Sequence, residues 1–336
     1  ASGEHFYSLV PTLGQGGPVT AEGRWRWDHS LSLLAGSRLS VGGAVSGTRL
    51  VKPLTLRVSE PLVIGGGGPT GAMDVRAEGL VAERWTLPPV TGSARLDGAA
   101  FQADLSVAQW GTRVAMRGRQ GGAGLSGTVQ GRSPLVPAMS RGLPLTTRAG
   151  QLVVDGRWQW RDAFQIDGTL QGKELSLDWG SIQARGLDAD LALDWRQGQA
   201  PSLRSREPLT LANLDVGVPV TEVRMGVETD LDQWRFEKIS AGVLGGEVRA
   251  PRLRWPSSQW QPVVLTGIEL SQLAALQNKA VVSLTGEVGG YIPLRLARES
   301  VAVRDGRLAN ETPLSLALLP AAGTQAMAES NRAVSI

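Results

Sequence analysis

The chain has 336 residues, 42% of them apolar and 19% charged, enough apolar surface for a large buried face and too ordered a composition for a disordered segment. Its net charge is only +3; the pI of 9.7 follows from Arg in place of Lys, few Tyr and no Cys rather than from a basic patch, so nucleic-acid binding has no electrostatic footing. The lack of Cys excludes disulfides and thiolate metal sites and fits a compartment in which stray thiols are oxidised.

No stretch reaches the ~18 apolar residues of a membrane-spanning helix. No signal peptide is visible, and the sequence is read as a piece of a longer protein whose anchor or export signal lies elsewhere. Alternation dominates from the first clear run, 19–28, where Trp25 and Trp27 project to one face and Arg24 and Arg26 to the other. Asp28-His29-Ser30 then holds the three residue types of a hydrolase triad, but adjacent residues in a turn do not converge on one point. Further runs fall at 38–46 and 49–58. Gly66-Gly67-Gly68-Pro69-Thr70-Gly71 matches a dinucleotide-binding string, yet Met73, Val75 and Ala77 alternate with Asp74, Arg76 and Glu78 directly after it. A strand follows where that motif needs a helix, so the glycines read as a hairpin turn.

Runs at 72–81, 92–108, 111–118 and 124–131 continue the pattern, with Gly, Asp or Pro between them. The stretch 118–149 is rich in Gly, Ser and Pro and is expected to be a loop or a boundary, dividing the chain into 1–117 and 150–336. The second part opens with Leu152, Val154, Gly156, Trp158 and Trp160 facing away from Val153, Asp155, Arg157 and Gln159. Gly156-Arg157-Trp158-Gln159-Trp160 echoes the earlier Gly23-Arg24-Trp25-Arg26-Trp27, a faint repeat. Phe164, Ile166, Gly168 and Leu170 follow on one face. Leu187, Ala189, Leu191, Leu193 and Trp195 then oppose Asp188, Asp190, Asp194 and Arg196, and Val223, Met225 and Val227 oppose Arg224 and Glu228. The spacing of Leu270, Leu273 and Leu276 predicts one short helix over 269–277, and the Ala-rich tail from Pro320 to Arg332 a second. The last alternating segment places Val301 and Val303, then Leu314, Leu316 and Leu318, on one side.

The fold expected is therefore all-β: a long antiparallel repeating sheet of roughly twenty strands, curled and twisted because a sheet of that size does not stay flat. No catalytic, cofactor-binding or metal-ligating set is found. The only histidines are His5 and His29, no acidic loop has calcium-binding spacing, and Asn310-Glu311-Thr312 matches a glycosylation string by chance. The apolar faces, with their Trp residues, fit either a dry sandwich core or a groove only partly filled by protein, and periodicity does not separate the two. A structural or adhesive β-solenoid with a dry core is the alternative. An outer-membrane barrel is disfavoured because the Trp residues fall within runs rather than in girdles.

Residues 207–318 carry a resemblance. A strand ending in Leu244-Gly245-Gly246 leads to Leu270-Ser271-Gln272-Leu273-Ala274-Ala275-Leu276, then to the Gly-rich strand running into Ile292-Pro293-Leu294, then to Val303-Arg304-Asp305-Gly306-Arg307-Leu308. In this order the pieces resemble the C-terminal half of YdbH-like members of the AsmA-like group, which also includes TamB; residues 1–206 share only the alternating style. The resemblance implies an inner-membrane anchor, a β-groove crossing the periplasm, phospholipid transfer to the outer membrane, and a small outer-membrane lipoprotein partner of the YnbE type that adds strands near the C-terminus. On that reading Leu152, Val154, Trp158, Trp160, Phe164, Ile166, Leu187, Leu191, Leu193, Trp195, Val223, Met225 and Val227 line the groove. Val301, Val303, Leu314, Leu316 and Leu318 then mark the edge that receives the partner strand. No cofactor or chemical step is expected.

Overall fold

Short turns join strand to antiparallel strand along the chain, because the alternating runs leave one face apolar and the other wet and Gly, Asp, Pro or Ser sits at most reversals. The computed structural model describes residues 2–5, 19–42, 44–45, 48–50, 54–78, 80–82, 85–121, 124–140, 145–276, 282–298 and 300–318. The chain divides into two units, one made of Ala1–Trp179 with Asp188–Glu207 and the other of Gly180–Leu187 with Pro208–Ile336.

In the first unit, strand Val19–Asp28 pairs with Ser2–His5 on one side and with Ser30–Leu33 and Arg38–Val41 on the other. Leu54–Gly65 adds to those two short strands and to Gly68–Ala77. A meander follows: Val90–Asp97, Ala100–Val107, Thr112–Gly121, Gly124–Pro134, Thr146–Trp160 and Phe164–Trp179, each antiparallel to the one before. Asp188–Arg196, the later part of strand Ile182–Arg196, pairs with Ser202–Ser205. Four short strands, Ala44–Val45, Thr48–Leu50, Leu80–Ala82 and Trp85–Leu87, form a small sheet of their own.

In the second unit the order is Leu209–Asp215, Pro219–Thr229, Trp234–Val243, Gly246–Trp255, Gln261–Glu269, then Glu287–Leu296 flanked by Val301–Val303 and Arg307–Asn310. Val282–Thr285 pairs with Ser315–Leu318. The turn at 229–234 is fixed by Asp230, whose Oδ1 accepts from the backbone N–H of Gln233 at 2.6 Å and of Asp232 at 3.0 Å. Those bonds, the Gln233 one first, hold its carboxyl below the usual range. The predicted helix is present as Leu270–Ala275, with Leu270 buried. The predicted second helix from Pro320 lies outside the described residues.

Strict alternation is interrupted three times by a bulge at a charged residue with positive φ: Glu174 (φ 50°), Glu222 (φ 51°) and Lys238 (φ 52°). Each is the second of two consecutive exposed residues, Lys173-Glu174, Thr221-Glu222 and Glu237-Lys238, flanked by buried or half-buried ones. The added residue resets the parity, so Gly172 and Leu175, Val220 and Val223, and Phe236 and Ile239 are covered on either side of it.

Two sequence readings need correction. The stretch 118–149 is not a loop: it carries strand Gly124–Pro134 and the first residues of Thr146–Trp160, and the division into units falls further on. Its glycines pair in the ladder, Gly118 opposite Gly127 and Gly121 opposite Gly124. Most of the Trp residues are not mid-run either, Trp25 and Trp158 being the ones inside a strand. Trp27, Trp160, Trp179, Trp195 and Trp255 sit at or next to the last residue of a strand, Trp85 and Trp234 open one, and Trp110 lies in a turn.

Candidate functional site

In the first unit the pairing registers line up one row of side chains straight across nine strands. It runs Leu39, Leu56, Val75, Gly92, Leu105, Val114, Gly131, Val154 and Leu170. A second row, two residues along each strand, reads Val58, Met73, Ala94, Ala103, Met116, Val129, Gly156 and Gly168. A third reads Gly71, Leu96, Phe101, Gly118, Gly127, Trp158 and Ile166. None of the three contains a charged side chain, and the Trp158 indole carries their one N–H or O–H donor. The interleaved rows of the other face do contain charged side chains: Arg57, Asp74, Ser93, Asp104, Ala115, Gln130, Asp155 and Thr169 in one, Arg95, Gln102, Arg117, Thr128, Arg157 and Asp167 in the next. On that face Gln130 Nε2 donates to Asp155 Oδ2 at 2.9 Å, and Arg95 pairs with Glu60 at 2.5 Å.

The middle of the first row tells what covers it. Leu105, Val114, Val154 and Leu170 have paired strands on both sides and are still only half-buried, whereas side chains beneath a second layer are closed off from water. The closed clusters are small and made by the sheet itself. Leu33, Val58, Leu62 and Met73 pack with Trp25, Leu39, Leu56, Ala94 and Leu96, all from strands of the first unit. In the second unit Leu211, Val223 and Ala241 pack with Ala184, Leu187, Leu214, Val220 and Met225, again all strand residues. Among the described residues no helix or separate sheet contributes to either cluster.

One part of the face is filled by aromatic rings. Gly118 carries no side chain, and the Phe101 and Trp158 rings, 5.4 Å apart, lean over it; a Cβ on Gly118 would lie 2.5 Å from both rings. Trp158 stacks on Phe164 at 5.9 Å, and Phe164 meets Trp160 at 6.3 Å and Trp195 at 6.0 Å edge-on. The Trp158 indole N–H donates to the Thr128 carbonyl at 3.1 Å. This leaves Trp158 3% exposed, while Trp160, at the strand end, is 45% exposed.

The second unit repeats the segregation. Ala241, Val248, Leu265, Gly290 and Leu308 lie in one row, and Val227, Phe236 and Leu253 in another. On the opposite face Arg235 pairs with Glu228, Arg252 with Glu237 and Arg249 with Glu247. Such exposed pairs contribute little to stability, but they keep that face wet. Strand segments Val301–Val303 and Arg307–Asn310 are the outermost among the described residues, paired on one side only, with Glu287–Leu296. Val301 and Val303, opposite Leu296 and Leu294, are 68% and 63% exposed, so among the described residues the apolar face runs out to an edge there. Leu314 is exposed as well, and Leu316 and Leu318 stand opposite Leu284 and Val282 in backbone register.

Of the residues singled out from sequence, Leu152, Val154, Trp158, Trp160, Phe164, Ile166, Leu191, Leu193 and Trp195 lie in the first unit, and Leu187, Val223, Met225 and Val227 in the second. Val154, Trp158 and Ile166 fall in the apolar rows, and Trp158, Trp160, Phe164 and Trp195 meet in the aromatic cluster. Leu193 stands opposite buried Leu203. Val223 and Val227 are buried, and Leu187 and Met225 pack against the second cluster. Sequence reasoning overlooked the N-terminal share of the same rows, including Leu39, Leu56, Val75, Phe101, Leu105 and Val114, although their alternation was equally plain.

Among the described residues no group of His or acidic side chains is arranged to hold a metal ion. No helix among them is long and apolar enough to cross a membrane. The family described as "YdbH-like: Intermembrane phospholipid transport protein YdbH" matches residues 12–336. The chain is similar to a protein of Escherichia coli (strain K12) named "Probable phospholipid transport protein YdbH", with 28% identity over 253 residues, covering 69% of this chain and 28% of that protein. It thus spans little more than a quarter of the length of that relative. No solved structure matches it.

Proposed function

The chain belongs to the YdbH-like family, and from that premise we propose that its apolar face holds phospholipid acyl chains and passes them between the inner and outer membranes, across the periplasm. The observation that carries this reading is the uncovered apolar row from Leu39 to Leu170, uncharged over nine successive strands and half-buried in its middle. Contact with each acyl CH₂ is worth about 0.8 kcal/mol. Neighbouring positions along the row present side chains of the same kind, so that gain is similar from strand to strand and a chain can slide without meeting a deep trap. Charged residues on the far face keep the sheet in water. The role needs no chemical step.

The edge at Val301 and Val303 supports a second element of the proposal. Unpaired edges recruit strands, and a strand added beside Val301–Asn310, from a small outer-membrane lipoprotein of the YnbE type, would prolong the apolar rows. The anchor in the inner membrane belongs to the same proposal.

Native mass spectrometry of the protein after gentle extraction tests the groove. Phospholipid adducts surviving into the gas phase are expected, in a stoichiometry above one per chain. A folded protein that carries no lipid would instead favour the dry solenoid.

A further inference from the structure

The second unit gathers its indoles at one end of its strands. Trp234 opens strand Trp234–Val243, Trp255 closes Gly246–Trp255, and Trp260 precedes Gln261–Glu269, so all three lie at the same rim. The opposite rim, with the turns at 215–219 and 243–246 and the helix, has none. Trp234 and Trp255 stand opposite each other in register, beyond Phe236 and Leu253 of the apolar row. The Trp255 indole N–H donates to the Ala297 carbonyl at 3.0 Å, which ties the turn after Leu296 to the turn after Trp255.

Between these two turns lies a cavity of about 370 Å³ lined by Pro256, Ser257, Ser258, Arg295, Ala297 and Arg298. Two of its lining residues, Arg295 and Arg298, are arginines. Arg298 is paired with Asp232 and Arg304 with Asp305. Arg295 lies over the Trp260 ring, 4.9 Å from its centroid, and Arg304 lies 5.8 Å from the same ring. Among the described residues Arg295 has no carboxylate partner, so of the two arginines that line the cavity it is the one outside an ion pair. Its planar fork, held by the indole, is preorganised for two oxygens of a phosphate. Ser258 adds a hydroxyl, while Ser257 Oγ is used by the Gln259 N–H at 3.1 Å.

We propose that this rim cavity binds a phosphate oxyanion, with Arg295 as its principal contact and Arg298 and Ser258 completing the site. This rests on the acyl-chain reading of the apolar face and refines it. Arg295 alternates with Leu294 and Leu296 and so points to the wet side of its strand. The acyl chains of a phosphodiester held there turn around the strand ends at Trp255 to reach Leu253 and Leu294 on the apolar face, with the indoles at the boundary between water and hydrocarbon.

The test uses vesicles doped with either phosphatidylglycerol or a diacylglycerol of the same acyl chains, and a photo-cross-linker at Ile292, which lies opposite Val263. The wild type is expected to capture the phospholipid about tenfold better than the diacylglycerol, the size of one charge-assisted contact. Arg295→Gln should bring the ratio near one and leave diacylglycerol capture unchanged. Arg249→Gln, whose arginine is paired with Glu247 away from the rim, should keep the wild-type ratio. An unchanged ratio in Arg295→Gln, or an equal loss in Arg249→Gln, overturns the rim site while leaving the groove standing. Absence of diacylglycerol capture in the wild type removes the groove and the rim site together. Inorganic phosphate added to the wild type separates the two sources: competition at millimolar levels, lost in Arg295→Gln, assigns the site to free phosphate, and no competition assigns it to the lipid headgroup.

Discussion

Trp158→Ala is expected to destabilise the first unit by about 3–5 kcal/mol, the range for deleting a buried aromatic side chain. The indole is the centre of the aromatic group. Its removal takes away the stacking on Phe164, the contact with Phe101 and the hydrogen bond to Thr128, and leaves Gly118 covered by Phe101 alone. Gly118, beneath the indole, has no side chain to fill the space. Urea unfolding followed by tryptophan fluorescence measures the loss. A midpoint within the error of the wild type would mean that Trp158 is not packed as described. Trp160→Ala, two residues on and exposed, serves as the comparison and should change stability far less.

The second large effect separates an acyl-binding face from a dry core at a single position. Val154→Asp places a carboxylate in the middle of the longest apolar row, between Gly131 and Leu170. Val154 is half-buried, so the charge keeps water and the cost to folding is expected to stay within about 1–2 kcal/mol. A carboxylate there costs an acyl chain its contact with two or three methylenes. At about 0.8 kcal/mol each, that is roughly a 15- to 60-fold loss of lipid capture. Asp155→Ala, one residue along and on the wet face, should leave capture intact. Thermal melting alongside lipid photo-labelling reads both quantities. Unfolding of the Val154→Asp protein would show a closed core, and unchanged labelling would show that acyl chains do not use this row.

Most of the architecture was legible in the sequence because a period of two leaves no freedom. Once Leu152, Val154 and Trp158 share a face, their neighbours across each ladder follow. The helix was legible for the opposite reason, since Leu270, Leu273 and Leu276 are three apart. The stretch 118–149 was misread because composition was allowed to outweigh period. Gly118 and Gly127 mark strand positions over which a neighbour's large side chain, or a close backbone, occupies the space. A Cβ on Gly127 would collide with the Arg117 carbonyl and the Gly118 Cα. The parity changes at Glu174, Glu222 and Lys238 did leave a trace, a doublet of polar residues between two alternating runs. What covers the apolar face was not legible at all. Burial depends on whether a second layer exists, and alternation is the same with or without one.

The straight rows in the first unit set a rule for how such a sheet can change in length. Every strand reverses the direction of the one before, so excising a single strand leaves its two neighbours pointing the same way with only a short turn to join them, which a parallel pair does not permit. Excising a pair does not. Without residues 100–123, the two-residue turn 98–99 would set Asp97 opposite Gly124. Leu96, Ala94 and Gly92 would then meet Leu125, Gly127 and Val129, each from the apolar side of its own strand. The hairpin is thus the unit of insertion and deletion, and the span of the face grows or shrinks in increments of about 9–10 Å, two interstrand spacings, without any rewriting of the residues that remain.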